Sequence, residues 1–135
     1  MAASLVGRKL GMYQITELLG QGGMACVYRA TDLSSGRDVA LKLLTVSSKS
    51  RESENSTALF EREFHTLMQL RHPHVISVHD YGLSEDGAAY YTMELLDGGD
   101  LLARAPVPWQ EACRFMFDVC SSLALLHSRR LLHRD

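Results

Sequence analysis

Short apolar runs, separated by glycine, serine and aspartate turns, follow one another through the first half of the chain. Runs of about four to eight residues that are rich in β-branched and aromatic side chains are typical of strands. The pattern predicts five strands, at Tyr13–Leu19, Val27–Ala30, Val39–Leu44, Val75–Tyr81 and Ala88–Leu95. The first three are joined by short turns, which favours an antiparallel meander.

A polar segment and then a helical period interrupt these strands. Ser47–Thr57 is rich in serine and too hydrophilic for a core, so it is predicted as a loop. Ala58–Leu70 is predicted as a helix with Thr57 as its N-cap. Its expected apolar face consists of residues at helical spacing, namely Leu59, Glu63, Leu67 and Leu70.

The clearest helical pattern lies near the end of the chain, at Trp109–Ser128. Its apolar stripe consists of Phe115, Met116, Val119, Leu123 and Leu126. A stripe of this length normally packs on a further layer of structure. We therefore expect a partner or a further segment to cover it.

Composition and charge exclude several classes of protein. The chain has 135 residues, 46% hydrophobic and 22% charged, which excludes disordered and low-complexity classes. Its net charge of -2 provides no overall basic field, and no nucleic-acid partner is expected. No apolar run reaches about 18 residues, and the first residues do not resemble a signal peptide, so no membrane span is expected. Three cysteines without a CxxC pair favour a reducing compartment, and a cytoplasmic location is predicted.

A glycine-rich segment, Gly20–Ala25, fits two phosphate-binding patterns. In one, a strand turns into a helix whose N-terminus holds the pyrophosphate of a dinucleotide. In the other, the glycines connect two antiparallel strands and their N–H groups cover phosphates. Val27 and Tyr28 follow at once, and the turn at Ser34–Gly36 leaves too few residues for a crossover helix. The second pattern is favoured, and a glycine hairpin without a ligand remains as an alternative.

Two charged residues occupy positions with apolar neighbours. Lys42 interrupts the run Val39–Leu44, and Glu63 lies between Leu59 and Leu67 on the predicted helix face. Burying either charge alone is costly, so the pattern predicts an ion pair between them. A lysine paired in this way is held extended, where it can neutralise phosphate oxygens. The alternative is that both side chains reach water.

Five segments occur in a characteristic order along the chain. They are Gly20–Tyr28, Val39–Lys42, the helix with Glu63 followed by Leu70–Ile76, Tyr91–Leu101, and His133-Arg134-Asp135. Together they resemble the eukaryotic-type protein kinase family in its bacterial serine/threonine form, from about Tyr13 to Asp135. Ala25 stands where the family pattern has its third glycine, which is a mild departure.

The resemblance implies an α+β fold with a kinase-like N-terminal lobe. This lobe would contain a five-stranded antiparallel sheet and one helix, followed by a hinge and the first long helix of an incomplete C-terminal lobe. The expected divisions are residues 1–12 as an N-terminal extension, 13–96 as the N-lobe with its hinge, and 97–135 as the start of the C-lobe. The interval 102–108 is shorter than is usual in the family, which argues against a small helix after the hinge.

The resemblance also implies a nucleotide site. Met93 would be the gatekeeper, the backbones of Glu94 and Leu96 would meet adenine, and Asp100 would lie near the ribose. The complete expected ATP site consists of Leu19, Gly20, Gln21, Gly22, Gly23, Val27, Ala40, Lys42, Met93, Glu94, Leu96 and Asp100.

Catalytic roles are implied for three residues. Lys42 would contact phosphate, Glu63 would pair with Lys42, and Asp135 would accept the proton of the substrate hydroxyl. ATP and Mg²⁺ are the expected cofactors. In the family, Mg²⁺ is held by a DFG aspartate and by an asparagine after the HRD triplet. The 135 residues contain neither, so no metal ligand is predicted here.

The expected function is therefore that of a serine/threonine protein kinase, present as an N-terminal fragment that binds nucleotide but does not complete catalysis alone. The alternative is a non-catalytic module that binds a nucleotide or a partner and regulates another kinase. The protein substrate is not predicted.

Overall fold

The computed structural model describes residues 5–45 and 51–132, without the side chains of residues 51–54. The chain divides into two compact units. The first contains the residues up to Gln69 together with Ser77–Leu95, and the second contains Leu70–Ile76 and the chain from Leu96 onward.

The first unit contains a six-stranded antiparallel sheet and one helix. The strands are β1 (Lys9–Leu10), β2 (Tyr13–Gln21), β3 (Ala25–Asp32), β4 (Asp38–Leu44), β5 (Val78–Leu83) and β6 (Ala89–Met93), and the helix is α1 (Arg51–Met68). Their order in the sheet is β1-β2-β3-β4-β6-β5. The five predicted strands overlap β2 to β6, although their bounds differ, and the fourth begins at Val78 and not at Val75. The predicted antiparallel meander is confirmed from β2 to β4, and β4 then pairs with β6.

A sixth strand, β1, corrects the prediction of a five-stranded sheet. It has two residues, of which Lys9 pairs with Gln14 and Leu10 with Tyr13. A strand this short has no alternating pattern that periodicity could detect. It is identified as a strand only by its pairing with β2.

The core of the first unit is divided between the two faces of the sheet. One cluster contains nine buried residues, among them Leu41, Leu43 and Tyr90, and the other contains Leu44, Phe60, Phe64, Ala89 and Tyr91. Adjacent residues belong to different clusters because successive side chains of a strand point to opposite faces. The second face is the one on which α1 packs.

Helix α1 begins earlier than predicted, at Arg51. The predicted loop Ser47–Thr57 is therefore wrong from Arg51 onward, and residues 47–50 lie outside the described part of the chain. Thr57 lies inside the helix, so its predicted role as N-cap is also wrong. Arginine and glutamate are good helix formers, and a helix tolerates polar side chains wherever its surface faces water.

The buried face of α1 also differs from the predicted face. Phe60 and Phe64 are buried, whereas the side chain of Leu59 is 63% exposed. Phe64 lies 5.5 Å from Tyr81 and Phe60 lies 4.9 Å from Tyr91, measured between ring centroids. The aromatic side chains of β5 and β6 thus select the phenylalanine face.

The second unit contains α2 (Leu101–Arg104) and α3 (Trp109–Ser128). The bounds of α3 are as predicted. The short α2 is present despite the shortened interval, because Asp100 caps it and accepts a hydrogen bond from the Ala103 N–H at 2.7 Å. His72 contacts the Ser121 hydroxyl of α3 at 2.9 Å, which ties the segment Leu70–Ile76 to α3 within this unit.

The apolar stripe of α3 is incompletely covered. None of the residues of α3 is buried, and Met116 and Val119 are 59% and 43% exposed. A partner for this face stays a prediction. In the described part of the chain, no helix combines the length and the apolar character needed to cross a membrane.

Candidate functional site

The glycine-rich segment forms a hairpin between β2 and β3. The Gly22 N–H donates to the Ala25 carbonyl at 2.8 Å, and Gln21 pairs with Cys26 across the two antiparallel strands. The chain continues from the glycines into a strand and not into a helix. This arrangement excludes the dinucleotide-type crossover and agrees with the flap pattern.

The glycines at the tip of this hairpin are not required by packing within the protein. A Cβ atom added to Gly20 or Gly23 would meet no atom within 4 Å, and neither residue has a positive φ. Space for a side chain is therefore present on the exposed side of the hairpin. A ligand could approach the backbone N–H groups there.

Strand register places four of the predicted site residues on one face of the sheet. Val27 pairs with Lys42 across β3 and β4, and Ala40 pairs with Met93 across β4 and β6. Ala40 and Lys42 are two residues apart, so they point to the same face, and their cross-strand partners point with them. This is the face that carries α1.

Lys42 and Glu63 form the predicted ion pair on this face. Lys42 Nζ donates to Glu63 Oε1 at 2.6 Å, and the two side chains are 27% and 44% exposed. The pair is thus confirmed, whereas the expectation that Glu63 is buried is wrong. Partial burial raises the pKa of Glu63, but hydrogen bonds from Lys42 and Tyr91 and the lysine charge outweigh it, and the net pKa is lowered.

Tyr91 contacts the same pair and is not among the predicted site residues. Its hydroxyl donates to Glu63 Oε1, and its ring centroid lies 5.6 Å from Lys42 Nζ. Burial, and then the hydrogen bond to Glu63, raises the pKa of Tyr91 far above its ordinary value. One feature of the sequence could have indicated Tyr91. It lies two residues before Met93 in the same strand, so the two side chains point to the same face.

Two further predicted residues of the first unit flank this face. Leu19 lies where the pairing of β2 with β3 shifts register, between Leu18 and Gly20, and its side chain is 43% exposed. The Glu94 N–H donates to the Ser77 carbonyl at 2.8 Å. A base bound at Glu94 would therefore donate a hydrogen bond to the backbone carbonyl oxygen of Glu94.

The remaining predicted residues do not belong to the first unit. Leu96 and Asp100 belong to the second unit, where Leu96 is 66% exposed and Asp100 caps α2. Asp135, the predicted catalytic base, lies outside the described residues. Within the described ranges, no group of three or more histidine, cysteine, aspartate or glutamate side chains could hold a metal ion.

The arrangement is suited to binding an anion next to an apolar surface. An ammonium group has three N–H donors, and Glu63 takes one of those of Lys42, which leaves two for another acceptor. Val27, Ala40 and Met93 provide apolar side chains on the same face. Together they can accept a flat apolar ring and a phosphate at one face of the sheet.

The sequence profile of the protein kinase domain matches residues 13–135. The serine/threonine-protein kinase pkn3 of Myxococcus xanthus is 39% identical over 127 residues, which cover 91% of this chain and 23% of that protein. PrkC of Bacillus subtilis is 35% identical over 136 residues, which cover 97% of this chain and 20% of that protein. The chain thus spans about a quarter or less of the length of these relatives.

Solved structures show the same fold. A mutant form of the PknI kinase domain of Mycobacterium tuberculosis superimposes with a TM-score of 0.75 and 30% sequence identity. The match covers 100% of this chain and 56% of the PknI chain. The α+β kinase N-lobe architecture is therefore confirmed.

Proposed function

Since this chain belongs to the protein kinase family, in which its relatives are serine/threonine kinases, we propose that it binds ATP for phosphoryl transfer to protein hydroxyl groups. The proposed site is the sheet face defined by Val27, Ala40, Lys42 and Met93, together with the glycine hairpin. The proposal rests above all on the Lys42–Glu63 ion pair, at 2.6 Å. An ion pair at this position holds the ammonium extended and leaves donors for phosphate oxygens.

The described residues suit ATP in two respects. The Lys42 side chain is 27% exposed, so its remaining N–H donors are accessible to a triphosphate. The open space beside Gly20 and Gly23 allows a phosphate to approach the hairpin backbone, where N–H groups provide further donors. Lysine and hairpin together would neutralise and orient the phosphates.

Completion of the reaction requires groups that these residues do not provide. In this chemistry Mg²⁺ bridges the phosphates and neutralises developing charge, and the described residues contain no cluster that suits a metal ion. We therefore propose that the 135 residues bind nucleotide and do not by themselves complete catalysis. In the complete reaction, Asp135 would accept the proton of the substrate hydroxyl.

Nucleotide titration of the 135-residue chain tests the proposed site. We expect saturable binding of ATP and no comparable binding of NAD, because the hairpin leads into a strand and offers no helix N-terminus for a dinucleotide pyrophosphate. Isothermal titration calorimetry with both ligands measures the difference. Preference for NAD, or no binding of either nucleotide, would refute the proposed site.

Labelled ATP tests the statement about catalysis. We expect no phosphate incorporation into a generic acceptor protein by the 135-residue chain, because positioning and charge neutralisation supply nearly all the catalysis in phosphoryl transfer. The Asp135→Asn variant, as control, is expected to give the same background. Turnover that this substitution abolishes would show that the chain is catalytically complete.

A further inference from the structure

Tyr91 occupies the position directly opposite Lys42. The two residues are cross-strand partners of β6 and β4, so their side chains leave the sheet on the same face. The Tyr91 side chain is 2% exposed. Its ring packs between two phenylalanines of α1, with centroids 4.9 Å from Phe60 and 5.7 Å from Phe64.

One carboxylate oxygen of Glu63 accepts two hydrogen bonds at this point. Lys42 Nζ and the Tyr91 hydroxyl both donate to Oε1. The lysine stays 27% exposed, so it can exchange its partner for water or phosphate. The phenol has no such freedom, because its buried ring fixes the hydroxyl in front of α1.

We propose that Tyr91 is a positioning residue whose hydroxyl holds Glu63, and through it Lys42, in the orientation that receives the phosphates of ATP. This inference rests on the proposed function and adds to it a third member of the ion-pair site. Tyr91 itself touches neither nucleotide nor reacting atoms in this assignment. It acts by restricting the rotamers of the glutamate.

The Tyr91 hydroxyl opposes a movement of α1 away from the sheet. If Glu63 moved away from the sheet, Lys42 could be solvated, but the Tyr91 hydroxyl would lose its acceptor inside an aromatic cluster. An unsatisfied buried hydroxyl is costly. The inward position of Glu63 is thus favoured before any nucleotide binds, and the lysine is preorganised.

The test uses the substitution Tyr91→Phe in the 135-residue chain, with Tyr90→Phe as its matched control. Phenylalanine keeps the ring between Phe60 and Phe64 and removes only the hydroxyl. Tyr90 is the adjacent residue, is similarly buried, and packs in the cluster on the opposite face. We expect Tyr91→Phe to weaken ATP binding by about three- to tenfold, as for loss of one hydrogen bond that acts indirectly. Adenosine, which has no phosphate, should bind both variants and the unsubstituted chain with equal affinity.

A second readout reports on the contact itself. The pKa of the Glu63 carboxyl, followed by NMR, should rise in Tyr91→Phe because one of the hydrogen bonds that lower it is lost. It should not move in Tyr90→Phe. In a Glu63→Ala background, Tyr91→Phe should have no further effect on ATP binding, since the hydroxyl acts only through the carboxylate.

The outcomes separate this inference from the proposed function. If the unsubstituted chain does not bind ATP, the proposed function fails, and the Glu63 pKa still decides whether the hydroxyl holds the carboxylate. If the chain binds ATP and Tyr91→Phe changes neither its affinity nor the Glu63 pKa, the positioning role is refuted. An equal loss of ATP and adenosine binding would likewise refute it, because that result indicates a general loss of structure.

Discussion

Replacement of Lys42 by methionine is expected to weaken ATP binding to this chain by about 10- to 30-fold. Hydrogen bonds to charged groups contribute about 1.5–3 kcal/mol, and about 1.4 kcal/mol corresponds to a tenfold change in affinity. The side chain of Lys42 is 27% exposed, so solvent screening favours the lower part of this range. Methionine fills a similar volume without charge, and calorimetric titration of both proteins measures the difference.

Two controls make the Lys42→Met result specific to phosphate binding. Adenosine should bind the variant and the unsubstituted chain alike, because the apolar residues Val27, Ala40 and Met93 are unchanged. Lys9→Met removes an exposed lysine from β1 and should leave ATP affinity unchanged. An equal loss of affinity in both lysine variants would attribute the effect to overall charge and contradict the assigned role of Lys42.

Replacement of Leu41 by alanine is expected to lower the free energy of unfolding by about 2–5 kcal/mol, the range for leucine-to-alanine substitutions in a packed core. The Leu41 side chain is 0% exposed and lies in the central strand β4, opposite Tyr28 and Thr92. The substitution leaves a cavity that neighbouring strands cannot fill, because their hydrogen bonds fix their spacing. Urea denaturation followed by circular dichroism measures the change.

The control for Leu41→Ala is Leu83→Ala, in β5 of the same sheet. The side chain of Leu83 is 60% exposed, so its truncation should change the free energy of unfolding by no more than about 0.5 kcal/mol. Similar losses in the two variants would mean that burial at Leu41 does not dominate the stability of the sheet. The placement of Leu41 in the packed core would then be wrong.

Local sequence patterns identified most of the strands and the chemistry of the site. The five predicted strands overlap β2 to β6, because each has a run of apolar residues bounded by turn formers. Lys42 and Glu63 were each recognisable as a charge among apolar neighbours. Their ion pair could be predicted because a charge is costly to bury without a partner of opposite sign. Each strand and each of the two charged positions is recognisable from residues close together in the chain.

The face of α1 that packs on the sheet could not be predicted in the same way. The sets Leu59–Glu63–Leu67 and Phe60–Phe64–Leu67 both satisfy the helical period, and either could form an apolar stripe. The structure selects the second, because the rings of Tyr81 and Tyr91 on β5 and β6 receive the phenylalanines. Glu63 consequently lies at the edge of the buried face and stays half-exposed.

Local composition and spacing were enough to predict strands β2 to β6, the α3 helix, the glycine hairpin and the charged pair. Only contacts in the folded structure set the register between β4 and β6, which places Tyr91 opposite Lys42. The same kind of contact sets the short strand β1 and the orientation of α1. Strand register and helix orientation depend on contacts between residues that are distant in the chain. The periodicity of one element does not identify the distant residues against which that element packs.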